Sequence, residues 1–137
     1  MLTPLGFERR KSNWVYQNDE LCKLINLQKS DYSNLFYINY GYIIKGLELT
    51  TTRMHVENRL ASKDKQEQKC ITDLLDLDIE IPIQERCTKL KNLIHDIIIE
   101  NMLIVNTSED LFLELKKRPH LNDIPLVIKK YYGIKDV

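Results

Sequence analysis

Apolar and polar residues alternate with a period of two through most of the first sixty positions, the pattern of strands whose two faces meet different surroundings. Asn13-Trp14-Val15-Tyr16 is a short β-prone run. From Leu21 to Gln28, Leu21, Lys23, Ile25 and Leu27 fall on one side, with Cys22, Leu24, Asn26 and Gln28 on the other. From Leu35 to Ile44, Phe36, Ile38, Tyr40, Tyr42 and Ile44 share a face, and Tyr37, Asn39, Gly41 and Ile43 share the opposite one. The connectors Gln17-Asn18-Asp19-Glu20 and Ser30-Asp31-Tyr32-Ser33-Asn34 suit hairpins, since their short polar side chains bond back to the turn backbone. A fourth strand is expected over 51–60. Ala61 to Lys69 is charged, lacks apolar spacing and reads as a loop or a weak helix start. Leu75, Leu77, Ile79, Ile81 and Ile83 alternate with Asp76, Asp78, Glu80 and Pro82, predicting a further edge strand with an acidic outer face.

Beyond Pro82 the period changes. Cys87, Leu90, Ile94, Ile97, Ile98 and Met102 recur at three- and four-residue steps, the apolar stripe of a helix that Pro82 can open. A second helix is expected after Asn106-Thr107, where either side chain can cap free N–H groups, ending at Lys116-Lys117-Arg118-Pro119. A third is expected from Asp123 to Tyr132, closed by Gly133. Strands first and helices afterwards is the α+β order. The expected fold is therefore one domain over 1–137: an antiparallel β-meander of about four to five strands, packed by about three helices from the second half.

The 137 residues carry 20 basic and 20 acidic side chains, a formal charge of zero. That balance argues against a nucleic-acid or anionic-membrane surface, although Lys116, Lys117, Lys129 and Lys130 would form a local patch if they shared a face. The longest apolar run, Ile97-Ile98-Ile99, is far too short to span a membrane, and the first residues do not read as a signal peptide. Three cysteines, an odd number without close pairing, point to a reducing cytoplasmic setting.

Motifs that would mark a reaction do not stand out. Gly6, Gly41, Gly46 and Gly133 have no phosphate-cradling spacing, and His55, His95 and His120 have no zinc spacing, so neither cofactor nor metal is expected. Cys87 on the helix stripe and Cys22 beside Leu24 read as small buried hydrophobes, and His95, one step off the stripe, as a surface or boundary imidazole. Asp73, Asp76, Asp78 and Glu80 read as a solvated edge rather than as cation ligands. More informative are polar residues inside the strands: Asn26, Gln28 and Ser30; then Asn39 among Tyr37 and Gly41; then His55, Glu57 and Arg59. Strands do not favour Asn, and unpaired buried amides cost about 1–3 kcal/mol each. These side chains are either a hydrogen-bond network fixing strand register or a binding groove whose lining would include Gln28, Tyr37, Asn39, His55 and Arg59.

The runs Leu5-Gly6-Phe7, Trp14-Val15-Tyr16, Ile25-Asn26-Leu27-Gln28-Lys29-Ser30, Phe36-Tyr37-Ile38-Asn39-Tyr40-Gly41 and His55-Val56-Glu57-Asn58-Arg59-Leu60, with the helical stretch from Arg86 through Leu90 to Leu103 and then Thr107-Ser108-Glu109-Asp110-Leu111, resemble the bacterial domain-of-unknown-function family 4304. The resemblance implies an α+β fold and a bacterial source, and no activity. It also implies a helix ahead of Leu5-Gly6-Phe7; the chain starts almost on that element, so the helix is expected to be absent. The expected function is a non-enzymatic binding or interaction domain, of accessory or immunity type, that docks to another protein. The alternative is a small-molecule binder or small enzyme using the polar strand row, with His55 as acid–base group and Arg59 holding an anion.

Overall fold

The computed structural model describes residues 2–49, 53–117 and 126–133. Five antiparallel strands form one sheet in chain order: β1 (Glu8–Arg10), β2 (Asn13–Gln17), β3 (Leu21–Lys29), β4 (Phe36–Ile44) and β5 (Val56–Arg59). The register places Trp14 opposite Ile25, Ile25 opposite Tyr40 and Tyr40 opposite Asn58. Successive residues point to opposite faces, so that row and its neighbours two residues away share the inner face.

Four helices follow. α1 spans Lys65–Leu75 and begins where the Asp64 carboxylate accepts from the Gln66 and Glu67 amides. α2 covers 83–104: it is α-helical over Ile83–Leu93 and Glu100–Ile104, with a π-helical stretch over Ile94–Ile99 between them. α3 (Ser108–Lys116) opens with a capping box in which Thr107 and Asp110 satisfy each other's backbone N–H groups. α4 is Leu126–Tyr132. The expected start of this last helix, the Arg118-Pro119 stop and His120 lie outside the described residues, as do Thr51 and Thr52.

The helices cover the inner face. Leu21, Ile25, Ile38, Tyr42, Ile44 and Val56 from the sheet form one core with Ile71 and Leu75 of α1, Ile98, Ile99 and Met102 of α2, Leu111 and Leu115 of α3 and Ile128 of α4. Each such aliphatic side chain contributes about 1.5–3 kcal/mol on leaving water. The outer face has its own small cluster, Val15, Leu24 and Met54 with Cys22 and Ile43 packed against it. The chain approaching β5 crosses close above Gly41. A Cβ there would lie 1.9 Å from the Val56 carbonyl oxygen and 2.9 Å from Met54 Sδ.

Three expectations need correction. The segment 76–82 is not an edge strand: it makes one isolated bridge, Leu35 to Asp76, and connects α1 to α2. Arg86 ties the connector to the end of α1, donating to Asp76 O and Ile79 O on the one and to Asp73 O and Leu74 O on the other. Cys87 is exposed rather than buried, because Arg86 holds the inward position beside it. The fifth strand is instead Glu8–Arg10, which carries no apolar residue and is exposed along its length.

Candidate functional site

The sheet brings Asn13, Asn26, Asn39 and Arg59 into one row across four strands. Asn13 faces Asn26, Asn26 faces Asn39 and Asn39 faces Arg59. Their side chains are linked in sequence. Asn26 Nδ2 donates to Asn13 Oδ1 (2.7 Å), Asn39 Nδ2 donates to Asn26 Oδ1 (3.2 Å), and Arg59 Nε donates to Asn39 Oδ1 (3.1 Å). One diagonal step away, Gln28 Oε1 accepts from Asn39 Nδ2 (2.9 Å), Arg53 Nη2 (3.2 Å) and Arg59 Nη2 (3.4 Å). The Arg59 guanidinium carbon lies 4.0 Å from the Tyr37 ring centroid, a cation–π contact. Arg53 is ion-paired with Glu57. Asn39, 2% exposed, is the hub of the row.

Gln28, Tyr37, Asn39 and Arg59 thus come together, and His55 does not join them. Its imidazole is 1% exposed. Nδ1 accepts the Ile44 amide (2.9 Å) and Nε2 lies 2.9 Å from Glu48 O, so Nε2 carries the hydrogen and the neutral ring ties the 45–55 connection to β4. An imidazole with both nitrogens committed to buried backbone partners has no position free for proton transfer. Sequence reasoning missed Asn13 and Arg53. The first requires the β2–β3 register; the second sits before β5, and only its four-residue spacing to Glu57 marks it.

Two further polar groups lie on the inner face. Lys23, which alternation placed among apolar residues, is 4% exposed and donates to Met102 O and to Asn106 Oδ1 (2.9 Å). It bonds one of the carbonyls left without a partner at the end of α2 and ties it to the start of α3. A cavity of about 100 Å³ adjoins it, lined by Leu5, Phe7, Tyr16 and Met102 among others. On the opposite side, Tyr42 OH donates to Asn101 Oδ1 (2.7 Å), Asn101 Nδ2 donates to Glu114 Oε2 (3.2 Å), and Lys117 pairs with Glu114 (2.9 Å) beside a cleft of about 230 Å³. Cys22, Cys70 and Cys87 are free thiols. On α2 the exposed His95, Asp96 and Glu100 bring their ligand atoms within 4.8 Å of one another. Among the described residues no helix is long and apolar enough to cross a membrane.

The buried groups predict how stability responds to alkali. Burial pushes the Tyr42 hydroxyl well above its ordinary value of 10.0, helped by nearby Tyr40 and Glu114. It pushes Tyr132 up likewise, helped by Tyr131 and Glu20. Unfolding lets both ionise near pH 10 and release protons, so their contribution is intact below that pH and is lost as pH rises above it. Burial lowers the Lys23 value below 10.5. Unfolding therefore takes up a proton between the lowered value and 10.5, and this opposes the tyrosines only within that window. Melting temperatures measured from about pH 8 to about pH 12 should fall most steeply above the ordinary lysine value. Tyr42 and Tyr132 should ionise by ultraviolet difference absorbance only as the chain unfolds. A Tyr42→Phe variant should show a shallower alkaline fall, and an unchanged slope would refute this origin.

A five-stranded antiparallel meander with four helices gathered on one face defines an α+β protein whose opposite face carries an amide–guanidinium row. The chain belongs to the family described as "Domain of unknown function (DUF4304)", whose model matches residues 1–103. No curated protein and no solved structure matches it.

Proposed function

We propose that this chain is a non-enzymatic interaction domain that docks to another protein through the connector between α1 and α2. The carrying observation is the exposure of large aliphatic side chains on that connector and at the first residue of α2: Leu77 is 58% exposed, Ile79 40% and Ile83 77%. Single exposed aliphatics are ordinary, whereas several within seven residues on a fixed segment form a patch that a partner can bury. The segment is held from below by the two Arg86 hydrogen bonds to Asp76 O and Ile79 O and from the side by Asn34, whose Nδ2 donates to Asp78 Oδ1 (2.9 Å) and whose carbonyl accepts from Leu77 N (3.1 Å). Its shape is therefore set before binding, which lowers the ordering cost of association. A groove of about 410 Å³ runs beside it, lined by Cys70, Leu74, Ile79, Ile81 and Lys89 among others. The matching partner presents apolar side chains with a mixed polar rim, as suits a groove whose own Lys89 and Glu85 are paired (2.8 Å). Free thiols support a cytoplasmic setting, and the family resemblance supports a bacterial one.

The test compares the wild type with an Ile79→Glu/Ile83→Glu double variant in affinity capture from native lysate followed by light scattering on the recovered complex. A partner held at near-stoichiometric yield by the wild type and lost by the variant, with melting temperature unchanged, is expected. Absence of such a partner, or its retention by the variant, rejects the reading.

A further inference from the structure

The outer sheet face holds more positive charge than its own residues neutralise. Arg53 and Arg59 both donate to the same atom, Gln28 Oε1, so two cations converge on one neutral amide. One carboxylate serves them: Glu57 pairs with Arg53, and among the described residues no carboxylate lies within ion-pair distance of Arg59. Each guanidinium has five N–H donors. Arg59 uses Nε on Asn39 and one Nη2 hydrogen on Gln28; Arg53 uses Nε on Glu57 and one Nη2 hydrogen on Gln28. The remaining hydrogens of both forks are open to an acceptor among neither backbone nor side chains of the described residues.

The forks are also held in place. Arg59 lies over the Tyr37 ring and is anchored through Asn39, Asn26 and Asn13, and Arg53 is clamped between Glu57 and Gln28. Guanidinium groups fixed before binding lose little side-chain freedom on taking an oxyanion. We infer that Arg53 and Arg59 form a binding site for a phosphate monoester group. With two hydrogens unused on each Nη1 and one on each Nη2, the pair can serve three terminal phosphate oxygens, whereas a carboxylate offers two. Gln28 acts as the spacer that sets the two forks apart, and Tyr37 as the floor beneath one of them. The site is independent of the aliphatic connector.

The experiment is calorimetric titration of the whole chain with inorganic phosphate, O-phosphoserine, sulfate and acetate at fixed ionic strength. Saturable binding of phosphate and of O-phosphoserine is expected, with acetate weaker; a preference for O-phosphoserine over inorganic phosphate identifies the ester carrier as part of the ligand. Arg53→Gln and Arg59→Gln should each weaken binding about tenfold or more, and Arg59→Lys, which keeps the charge and removes the fork, should weaken it as well. Lys91→Gln, on exposed α2, is the control and leaves affinity unchanged. Arg53 is exposed, so its variant stays folded even if an Arg59 variant does not. Acetate binding as tight as phosphate, no saturation by phosphate, or full affinity in Arg53→Gln overturns the inference. The Ile79→Glu/Ile83→Glu variant should bind phosphate normally, so failure of the docking surface and failure of this site are distinguishable.

Discussion

Replacing Gly41 by alanine is expected to destabilise the protein by about 3 kcal/mol or more, the upper end of what overpacking costs, and to lower the melting temperature by about 10 °C. The added methyl would fall 1.9 Å from the Val56 carbonyl oxygen, which is backbone and cannot rotate away, and 2.9 Å from Met54 Sδ. Relief requires moving the chain that enters β5. That movement would break the Tyr42–Val56 pairing and the His55 N–H bond to Tyr42 O. The gain from replacing a strand glycine is below about 1 kcal/mol and does not compete. Gly46 supplies the comparison. It sits at φ +85° with open space around its Cβ direction, so Gly46→Ala meets only the left-handed backbone penalty, about 1–2 kcal/mol. Thermal melts of both variants separate a steric requirement from a conformational one. If Gly41→Ala melts no lower than Gly46→Ala, the close crossing over the sheet is wrong.

That crossing also marks the limit of what periodicity reveals. β2, β3 and β4 are legible because each buries one face against helices and so writes the alternation into its residues. β1 is not legible: Glu8, Arg9 and Arg10 lie on an edge with water on both sides, and nothing selects apolar residues there. The segment 75–83 misleads for the converse reason. Its alternation is that of a strand, yet Ile71, Leu74 and Leu75 bury a helical face that ends in Asp76, and the later aliphatics stay in water. Two local signals outweigh its pattern: Asp64 starts α1, and Pro82 starts α2. Cys87 lies one step off the stripe because Arg86, four residues before Leu90, takes the half-buried position on that face. In the polar row, residue type revealed that Asn26, Gln28, Asn39 and Arg59 needed partners. Identifying those partners required register and the path of the chain before β5. The same path withdraws His55, whose parity along the sequence matches Arg59 while its ring is buried against the Ile44 amide.

Asn39→Leu is expected to cost about 2–3 kcal/mol, because it strands buried polar groups rather than because it removes one favourable contact. Leucine shares the branched skeleton but supplies neither amide nor carbonyl. Asn26 Oδ1 loses its donor from β4, and Arg59 Nε loses its acceptor. Gln28 Oε1 keeps both arginines, so that end of the network is spared. Asn26 is nearly as buried as Asn39, and its orphaned oxygen cannot reach water without a shift of β3. The discriminating variant is Asn26→Leu/Asn39→Leu. Opposite residues in β3 and β4 would then meet as an apolar pair, and the orphaned oxygen would be gone. Asn13, less buried on β2, and the exposed Arg59 would lose partners that water can replace, and Gln28 would lose one donor while keeping both arginines. The double variant should therefore be no less stable than Asn39→Leu alone, with a coupling of at least about 1 kcal/mol by denaturant unfolding. Strictly additive costs would mean that the two amides do not share a bond, and the row would dissolve into separate surface contacts.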